Sequence, residues 1–149
     1  MKSNLKQKAL GLLARREHSR FELQNKLLLR GYDLQDIASL LDELETANLL
    51  SDDRYIGCYI RSRCARGFGP LKICASLQKQ GIATNRVRTN EAWLEIEWQE
   101  MAILLRQQRF GDSLPQKKAD RLKQSRFLEQ RGFTSEQIYD ALTTLIPMT

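Results

Sequence analysis

The sequence predicts an all-α protein built from about three tandem helical repeats in an elongated, curved array. Apolar residues recur with the period of an α-helix along almost the whole chain. No segment shows the strict alternation that is typical of a half-buried β-strand. The third observation is an internal repeat, marked by Gly31, Gly81 and Gly132. Repeats of this length are typical of helical arrays in which each unit covers the apolar face of its neighbour.

The three copies share more than the glycine. Each has a Leu four residues before it, a large apolar residue directly after it, a β-branched residue six after it and a Leu thirteen after it. These positions are Leu27, Tyr32, Ile37 and Leu44; Leu77, Ile82, Val87 and Leu94; and Leu128, Phe133, Ile138 and Leu145. Helices joined by a glycine turn share some of these features by chance, but the matched offsets favour true repetition. We place the units at residues 1–66, 67–111 and 112–149, stacked as one continuous unit.

The helices of the first unit are predicted from apolar spacing and from capping residues. Apolar residues at helical spacing between positions 5 and 13 predict the first helix. Ser19 and Glu22 form a capping box at the start of the second, which Gly31 can end in the left-handed conformation. Asp33 can cap the third helix.

Similar signals divide the rest of the chain. Ser51 caps a helix that Gly67 ends, and Pro70 suits the first turn of the next helix, which ends at Gly81. A long helix is predicted over roughly residues 85–109 by its apolar spacing.

The C-terminal part carries the same kinds of signal. Gly111, Pro115 and Gly132 mark turns, and Thr134 with Gln137 forms a second capping box.

Charge is strongly segregated along the chain. The 24 Lys and Arg exceed the 18 Asp and Glu, which gives a net charge of +6. Residues 54–90 carry eight cations and no carboxylate, whereas residues 33–53 carry seven carboxylates and no cation. A long stretch without carboxylates indicates a polyanionic partner or a partner with a complementary acidic surface.

Cations from two parts of the chain are expected to form one positive field for that partner. Arginine side chains bind phosphate or carboxylate through paired hydrogen bonds. Tyr59 and Phe68 lie among them and can stack on bases, although helical spacing favours a core position for Tyr59. The alternative is a solvated surface whose cations compensate a helix dipole. The candidate binding residues are Arg15, Arg16, Arg20, Arg61, Arg63, Arg66, Lys72 and Lys79.

A short acidic segment accompanies the two tryptophans. Glu91, Glu95 and Glu97 lie beside Trp93 and Trp98. In one continuous helix the two indoles would point to different sides, so we expect one in the core and the other partly exposed as a candidate interface anchor. Acidic surfaces next to basic ones suit a charged protein partner or a nucleoprotein complex better than naked DNA.

Several function classes are disfavoured. The longest apolar run, Met101–Leu105, is far shorter than the roughly 20 residues of a membrane span, and no signal peptide is predicted. The spacing of Cys58, Cys64 and Cys74 matches no metal or disulfide pattern, which favours buried thiols in a reducing cytoplasm. The only histidine, His18, has no catalytic motif around it. We therefore expect no catalytic residues, no metal, no cofactor, no small-molecule substrate and no membrane.

Three stretches carry motifs in a characteristic order. The most specific, at 50–73, contains Leu50-Ser51-Asp52-Asp53-Arg54-Tyr55, Tyr59-Ile60-Arg61-Ser62-Arg63 and Ala65-Arg66-Gly67-Phe68-Gly69-Pro70-Leu71-Lys72-Ile73. The others are Leu13-Ala14-Arg15-Arg16-Glu17-His18-Ser19-Arg20-Phe21-Glu22-Leu23, and Arg126-Phe127-Leu128 with Arg131-Gly132-Phe133 and Ile138. Together they resemble the RecX family of recombination regulators, over nearly the whole chain.

The resemblance implies a non-catalytic, cytoplasmic bacterial protein of three tandem three-helix units. Its implied partner is the RecA filament on single-stranded DNA, whose ATPase, strand-exchange and co-protease activities such proteins restrain. Recombination, DNA repair and the SOS response would thereby be modulated, with single-stranded DNA itself bound weakly and non-specifically. A stand-alone nucleic-acid-binding helical module, without sequence preference, remains the alternative. The resemblance assigns no individual contacts.

Overall fold

The computed structural model describes residues 2–147, with side chains from residue 4, and this part of the chain is helical without a β-strand. No helix in it is long and apolar enough to cross a membrane. The helices are α1 (Lys2–Arg15), α2 (Arg20–Leu29), α3 (Leu34–Thr46), α4 (Asp52–Ala65), α5 (Pro70–Gln78), α6 (Thr84–Arg88), α7 (Glu91–Leu94), α8 (Trp98–Phe110), α9 (Lys118–Gln130) and α10 (Ser135–Thr143).

Helices α1 to α3 pack around the first buried cluster, which includes Leu5, Leu23 and Leu41. Ser19 caps α2, because its hydroxyl accepts a hydrogen bond from the backbone N–H of Glu22 at 3.0 Å. The reciprocal half of the predicted capping box does not form, since the Glu22 carboxylate binds Arg16 instead. The first unit is therefore a three-helix bundle that ends with α3.

Helices α4 to α7 enclose the second cluster, and here the predicted long helix over 85–109 is wrong. The helical backbone is interrupted after α6 and again after α7, so this range contains three separate helices. Asn90 causes the first break, because its side chain accepts from the N–H of Ala92 at 2.9 Å and donates to the carbonyl of Asp53 at 3.0 Å. Trp93 and Trp98 consequently pack on each other with ring centroids 4.6 Å apart, both half-buried, rather than pointing to different sides.

Helices α8 to α10 form the third unit. The second predicted capping box is confirmed: Thr134 accepts from the N–H of Gln137, and the Gln137 side chain accepts from the N–H of Thr134. Gln107 pairs with the backbone of Ile146 through two hydrogen bonds of 2.7 and 2.9 Å. These hydrogen bonds hold the segment that follows α10 against α8.

The buried clusters group the helices differently from the boundaries that the sequence suggests at residues 66 and 111. Ile56 and Ile60 of α4 lie in the same cluster as Ile73 and Leu77 of α5. Ala102 of α8 belongs to the cluster of α9 and α10. Each Gly-marked turn therefore lies inside a unit, and the chain passes from one unit to the next near residues 51 and 97.

The structure confirms the internal repeat at the glycine and at the Leu four residues before it. Gly31, Gly81 and Gly132 have φ angles of 88°, 78° and 94°, so each ends a helix in the left-handed conformation. The Leu four residues before each glycine is fully buried. The Leu thirteen residues after it is buried only in the first unit: Leu94 and Leu145 are exposed, because α6 and α10 end before reaching them.

The units form an elongated array. The closest helix pairings all lie within a unit, and the units meet through shorter junctions. The accessible surface is 9375 Å², whereas a compact monomer of this mass would expose roughly 7,800 Å². Surface depressions lie at both junctions between units.

Candidate functional site

The two sides of α4 carry different parts of the predicted positive field. Residues 59, 63 and 66 follow one another at helical spacing and share one side. Arg61 lies on another side, where it lines a separate depression with Arg86 and Asn90. The structure therefore separates Arg61 from Arg63 and Arg66, although the sequence groups them.

The first side of α4 forms a groove with the start of α5, which we call the basic–aromatic groove. It is lined by Tyr59, Arg63, Arg66, Phe68 and Lys72. The Arg63 guanidinium carbon lies 4.6 Å from the Tyr59 ring centroid, and the Lys72 ammonium lies 5.1 Å from that of Phe68. These distances are within the range of cation–π interactions. No carboxylate of the described chain pairs with these three cations, so their charge is available to a partner.

The first unit extends this groove. Arg16 and Glu22 line a neighbouring depression that also includes Tyr59 and Arg63. The Arg16 Nη1 atom donates to the Glu22 carboxylate at 3.0 Å. This hydrogen bond, which outweighs the desolvation that opposes it, raises the pKa of Arg16. Arg16 is therefore held in place by Glu22 of α2, whose carboxylate offsets its charge.

The third unit contributes Arg131, which the sequence analysis did not select. Its guanidinium carbon lies 5.4 Å from the Phe68 ring centroid and 5.2 Å from that of Phe127. Its Nη1 atom donates to the carbonyl of Arg66 at 2.8 Å. The signal available in the sequence was its place in the motif Arg131-Gly132-Phe133, which carries no assigned contact.

The remaining predicted residues lie outside the groove. Arg20 is engaged within the first unit by Asp42, at 2.8 Å, and by Glu45. Arg15 and Lys79 are exposed and have no ion pair among residues 4–147. Of the eight candidates, the structure brings Arg16, Arg63, Arg66 and Lys72 together.

Cysteine chemistry does not define a site in the described part of the chain. Burial raises the pKa of Cys64 to about 11, which keeps it a neutral thiol near pH 7. Cys58 is exposed, so the prediction that all three thiols are buried is wrong for this residue. No three His, Cys, Asp or Glu side chains between residues 4 and 147 are grouped to hold a metal ion.

The arrangement can bind anions and planar groups. Guanidinium and ammonium groups bind phosphate or carboxylate oxygens, and the partly exposed faces of Tyr59 and Phe68 offer stacking surfaces. Such contacts hold a polyanionic backbone without choosing its sequence.

Comparison with known proteins identifies the family. Residues 6–44 match the model of the RecX first three-helix domain, and residues 95–142 match that of the RecX third three-helix domain. The regulatory protein RecX of Halorhodospira halophila is 38% identical over 87% of this chain and 81% of its own length. That of Acidithiobacillus ferrooxidans is 41% identical over 90% of this chain and 85% of its own length. The chain belongs to the RecX family.

Solved structures of RecX proteins show the same fold. The crystal structure of RecX from Lactobacillus salivarius superimposes with a TM-score of 0.79, at 22% identity, over 94% of this chain and 93% of its own. A second RecX crystal structure gives a TM-score of 0.77 at 19% identity over 94% of this chain. The all-α fold class and the tandem helical repeats are thus confirmed. The RecX relatives are regulatory proteins by name, in agreement with the regulatory role that the sequence suggested.

Proposed function

We propose that this chain binds the RecA filament on single-stranded DNA in the cytoplasm, and acts by binding rather than by turnover. In this role it restrains the ATPase, strand-exchange and co-protease activities of RecA, and so modulates recombination, DNA repair and the SOS response. The observation that supports this most is the basic–aromatic groove, with Arg16 and Arg131 beside it. All three units of the array contribute a cation to one surface, which suits an extended partner.

The small number of unpaired cations in the basic–aromatic groove favours contacts with the RecA protein in addition to contacts with the DNA. Three cations there, Arg63, Arg66 and Lys72, have no carboxylate partner in the described chain. If each neutralised one phosphate of a single strand, the logarithm of affinity would fall with the logarithm of salt with a slope of about −2. Non-specific contacts to so few phosphates give only weak binding to naked single-stranded DNA at physiological salt, so we expect the filament protein to supply further affinity.

The first experiment follows ATP hydrolysis by RecA on single-stranded DNA while the wild-type chain is added. We expect inhibition as the chain approaches the concentration of RecA. Unchanged hydrolysis at stoichiometric amounts would reject the proposed function. Binding of the chain to the filament, followed by fluorescence anisotropy, supplies the affinity that the next experiment needs.

The groove is tested by the triple variant Arg63→Ala/Arg66→Ala/Lys72→Ala. Exposed charge contacts contribute up to about 1 kcal/mol each, so we expect the filament affinity to fall roughly tenfold or more. The matched control, Lys117→Ala/Lys118→Ala/Lys123→Ala, removes the same charge from exposed positions at the start and middle of α9. Equal losses in both variants would indicate a general charge effect rather than a groove.

The groove also keeps the stand-alone nucleic-acid-binding module as a second candidate, because Tyr59 and Phe68 lie beside its cations. That function predicts tight binding to single-stranded DNA without RecA, since stacking on aromatic side chains contributes about 1–3 kcal/mol per base. Titration of the chain with labelled DNA across a range of salt concentrations separates the candidates. Binding that disappears near physiological salt argues against the stand-alone module.

A further inference from the structure

A second groove lies where the second and third units meet, and it differs in character from the basic–aromatic groove. Its floor is apolar and is formed by Ile96, Met101, Leu104 and Leu105, all half-buried. Its other lining residues include Arg66, Glu97, Glu100, Gln108 and Arg131. We call this surface the junction groove.

The junction groove is lined by the side of α8 that lies away from its most buried residues. Ala102, Ile103, Arg106 and Gln107 form the buried face that packs on α9 and α10. Positions 97, 101, 104 and 108 repeat at helical spacing on the other side of the helix. Met101 and Leu104 make the middle of this side apolar, and Glu97 and Gln108 are exposed at its ends. Met101 also packs against the third buried cluster, and its remaining surface is open to the groove.

The opposite wall of the groove is the end of α4. A Cβ atom placed on Gly67 would come within 3.2 Å of Leu105 Cδ1 and 3.3 Å of Arg131 Nη1. The turn that follows α4 therefore lies in close contact with Leu105 of α8 and with Arg131.

The charges at the groove have opposite signs on its two walls. Glu97 and Glu100 are exposed on the α8 side, and neither carboxylate has a partner among residues 4–147. The guanidinium of Arg66 on the α4 side is likewise without one. A DNA strand carries only negative charge and would be repelled by Glu97 and Glu100, whereas a protein segment can carry both signs.

We propose that the junction groove binds a segment of the RecA subunit itself, while DNA is left to the basic–aromatic groove. The segment that fits carries an apolar side chain for the floor, a Lys or Arg facing Glu97 and Glu100, and an acidic group facing Arg66. This inference rests on the proposed function. It assigns the RecA protein of the filament to the junction groove and the DNA to the basic–aromatic groove. Arg66 lines both grooves and links them.

The test is the charge reversal Glu97→Lys/Glu100→Lys, compared with the wild-type chain for binding to the filament and to single-stranded DNA alone. We expect filament affinity to fall about tenfold or more, because two attractive charges become repulsive. Affinity for DNA alone should stay equal or rise. If DNA occupied the junction groove, filament binding would instead become stronger, and that result, or no change, overturns the inference.

The control variant Glu129→Lys/Glu136→Lys makes the same change of charge at exposed positions of α9 and α10. Like Glu100 in α8, Glu136 lies in the first turn of its helix, so the dipole effect of that one substitution is matched, whereas Glu97 is at the N-cap of α8 and Glu129 is in the last turn of α9. Circular dichroism checks that both variants fold. A loss of the same size in both variants overturns the inference, and a wild-type chain that does not bind the filament rejects the proposed function and this inference together.

A photo-crosslinker at the groove identifies the occupant directly. Gln108→p-benzoylphenylalanine places the reactive group on an exposed position of the groove lining. Irradiation on the RecA filament should give an adduct with the RecA polypeptide. Adducts with the DNA alone, or none under conditions in which the variant binds the filament, contradict the assignment.

Discussion

His18 is the only histidine of the chain, and its ring is buried among charged side chains. Its Nδ1 atom lies 3.1 Å from the carbonyl of Arg16, and its Nε2 atom lies 2.9 Å from the ammonium of Lys26. Because Lys26 can only donate, Nε2 acts as an acceptor and the ring is neutral. Burial lowers the pKa of His18. The hydrogen bond to the Arg16 carbonyl and the charge of Glu22 oppose this shift, the charges of Arg16 and Lys26 add to it, and the pKa is lowered overall.

This environment predicts a loss of stability in mild acid. The pKa of folded His18 lies below its ordinary value of 6.5, so the unfolded chain binds more protons as the pH falls below neutrality. The free energy of unfolding should decrease from pH 7 to pH 5.5, with a slope from this residue of at most about 1.4 kcal/mol per pH unit. Urea denaturation followed by circular dichroism measures it.

The matched variant for this prediction is His18→Gln, which removes the titrating ring. The stability of this variant should depend less on pH in the same window. Its neighbour Glu22 changes charge only at lower pH. Burial raises the pKa of Glu22, but the hydrogen bond and the charge of Arg16 outweigh this effect and lower the pKa overall. A wild-type slope equal to that of the variant would show that His18 does not couple folding to protons.

At the scale of helices, the end of α9 meets the start of α5. The backbone N–H of Gly69 donates to the carbonyl of Arg131 at 2.7 Å, and that of Leu71 donates to the carbonyl of Gly132 at 2.9 Å. Helix starts have N–H groups, and helix ends have carbonyls, without partners in their own helix. The carbonyls at the end of α9 accept from the N–H groups at the start of α5. The negative end of the α9 dipole therefore faces the positive end of the α5 dipole, which is favourable.

Glycine 132 permits this contact. A Cβ atom there would lie 2.4 Å from Lys72 Cβ and 2.6 Å from Lys72 N, whereas a Cβ on Gly31 would meet nothing within 4 Å. Both glycines have positive φ, so Gly31→Ala measures the backbone cost alone, about 1–2 kcal/mol. Gly132→Ala should lower the free energy of unfolding by at least about 2 kcal/mol more, through overpacking and lost hydrogen bonds.

Chemical denaturation of both glycine variants tests the close approach of the two helices. Because φ differs by only a few degrees between the two positions, 88° and 94°, the backbone conformation cannot explain a large difference. Equal destabilisation would mean that α5 and α9 are not held together in solution.

At the scale of the whole molecule, the two junctions are built differently. Backbone hydrogen bonds and Arg131 join the second unit to the third. The first junction depends on side chains: Arg54 binds the Glu17 carboxylate at 3.1 Å and the Asn48 carbonyl at 2.9 Å, and the N–H of Arg20 binds Asp52 at 2.7 Å. The attachment of the first unit should therefore depend more on salt than that of the third unit, because salt screens ion pairs.

Arg54→Ala should loosen the first junction while leaving the second intact. Partly exposed ion pairs contribute up to about 1 kcal/mol, so the Arg20 amide should exchange its hydrogen roughly fivefold faster. The amides of Gly69 and Leu71 should keep their exchange rates. Hydrogen–deuterium exchange measures both, with Arg121→Ala as the control for loss of an exposed guanidinium.

Much of this architecture was predictable, because helix ends are decided locally. Ser19, Ser51 and the Thr134 capping box act on backbone groups within three residues of themselves, and glycines in the left-handed conformation need no distant partner. The helical period and the repeat then predict the array. The long helix over 85–109 failed because Asn90, at the break, is held by the carbonyl of Asp53, far away in sequence.

The sequence by itself determined the fold class, most helix ends and the segregation of charge, since these follow from neighbouring residues. Tertiary structure alone decided which cations share a surface. It paired Arg20 with Asp42, turned Arg61 away from Arg63 and brought Arg131 against Phe68. It also buried Arg106, which donates to Gln124 at 3.2 Å. Such side-chain positions depend on contacts between helices, and composition and spacing along one helix carry no information about them.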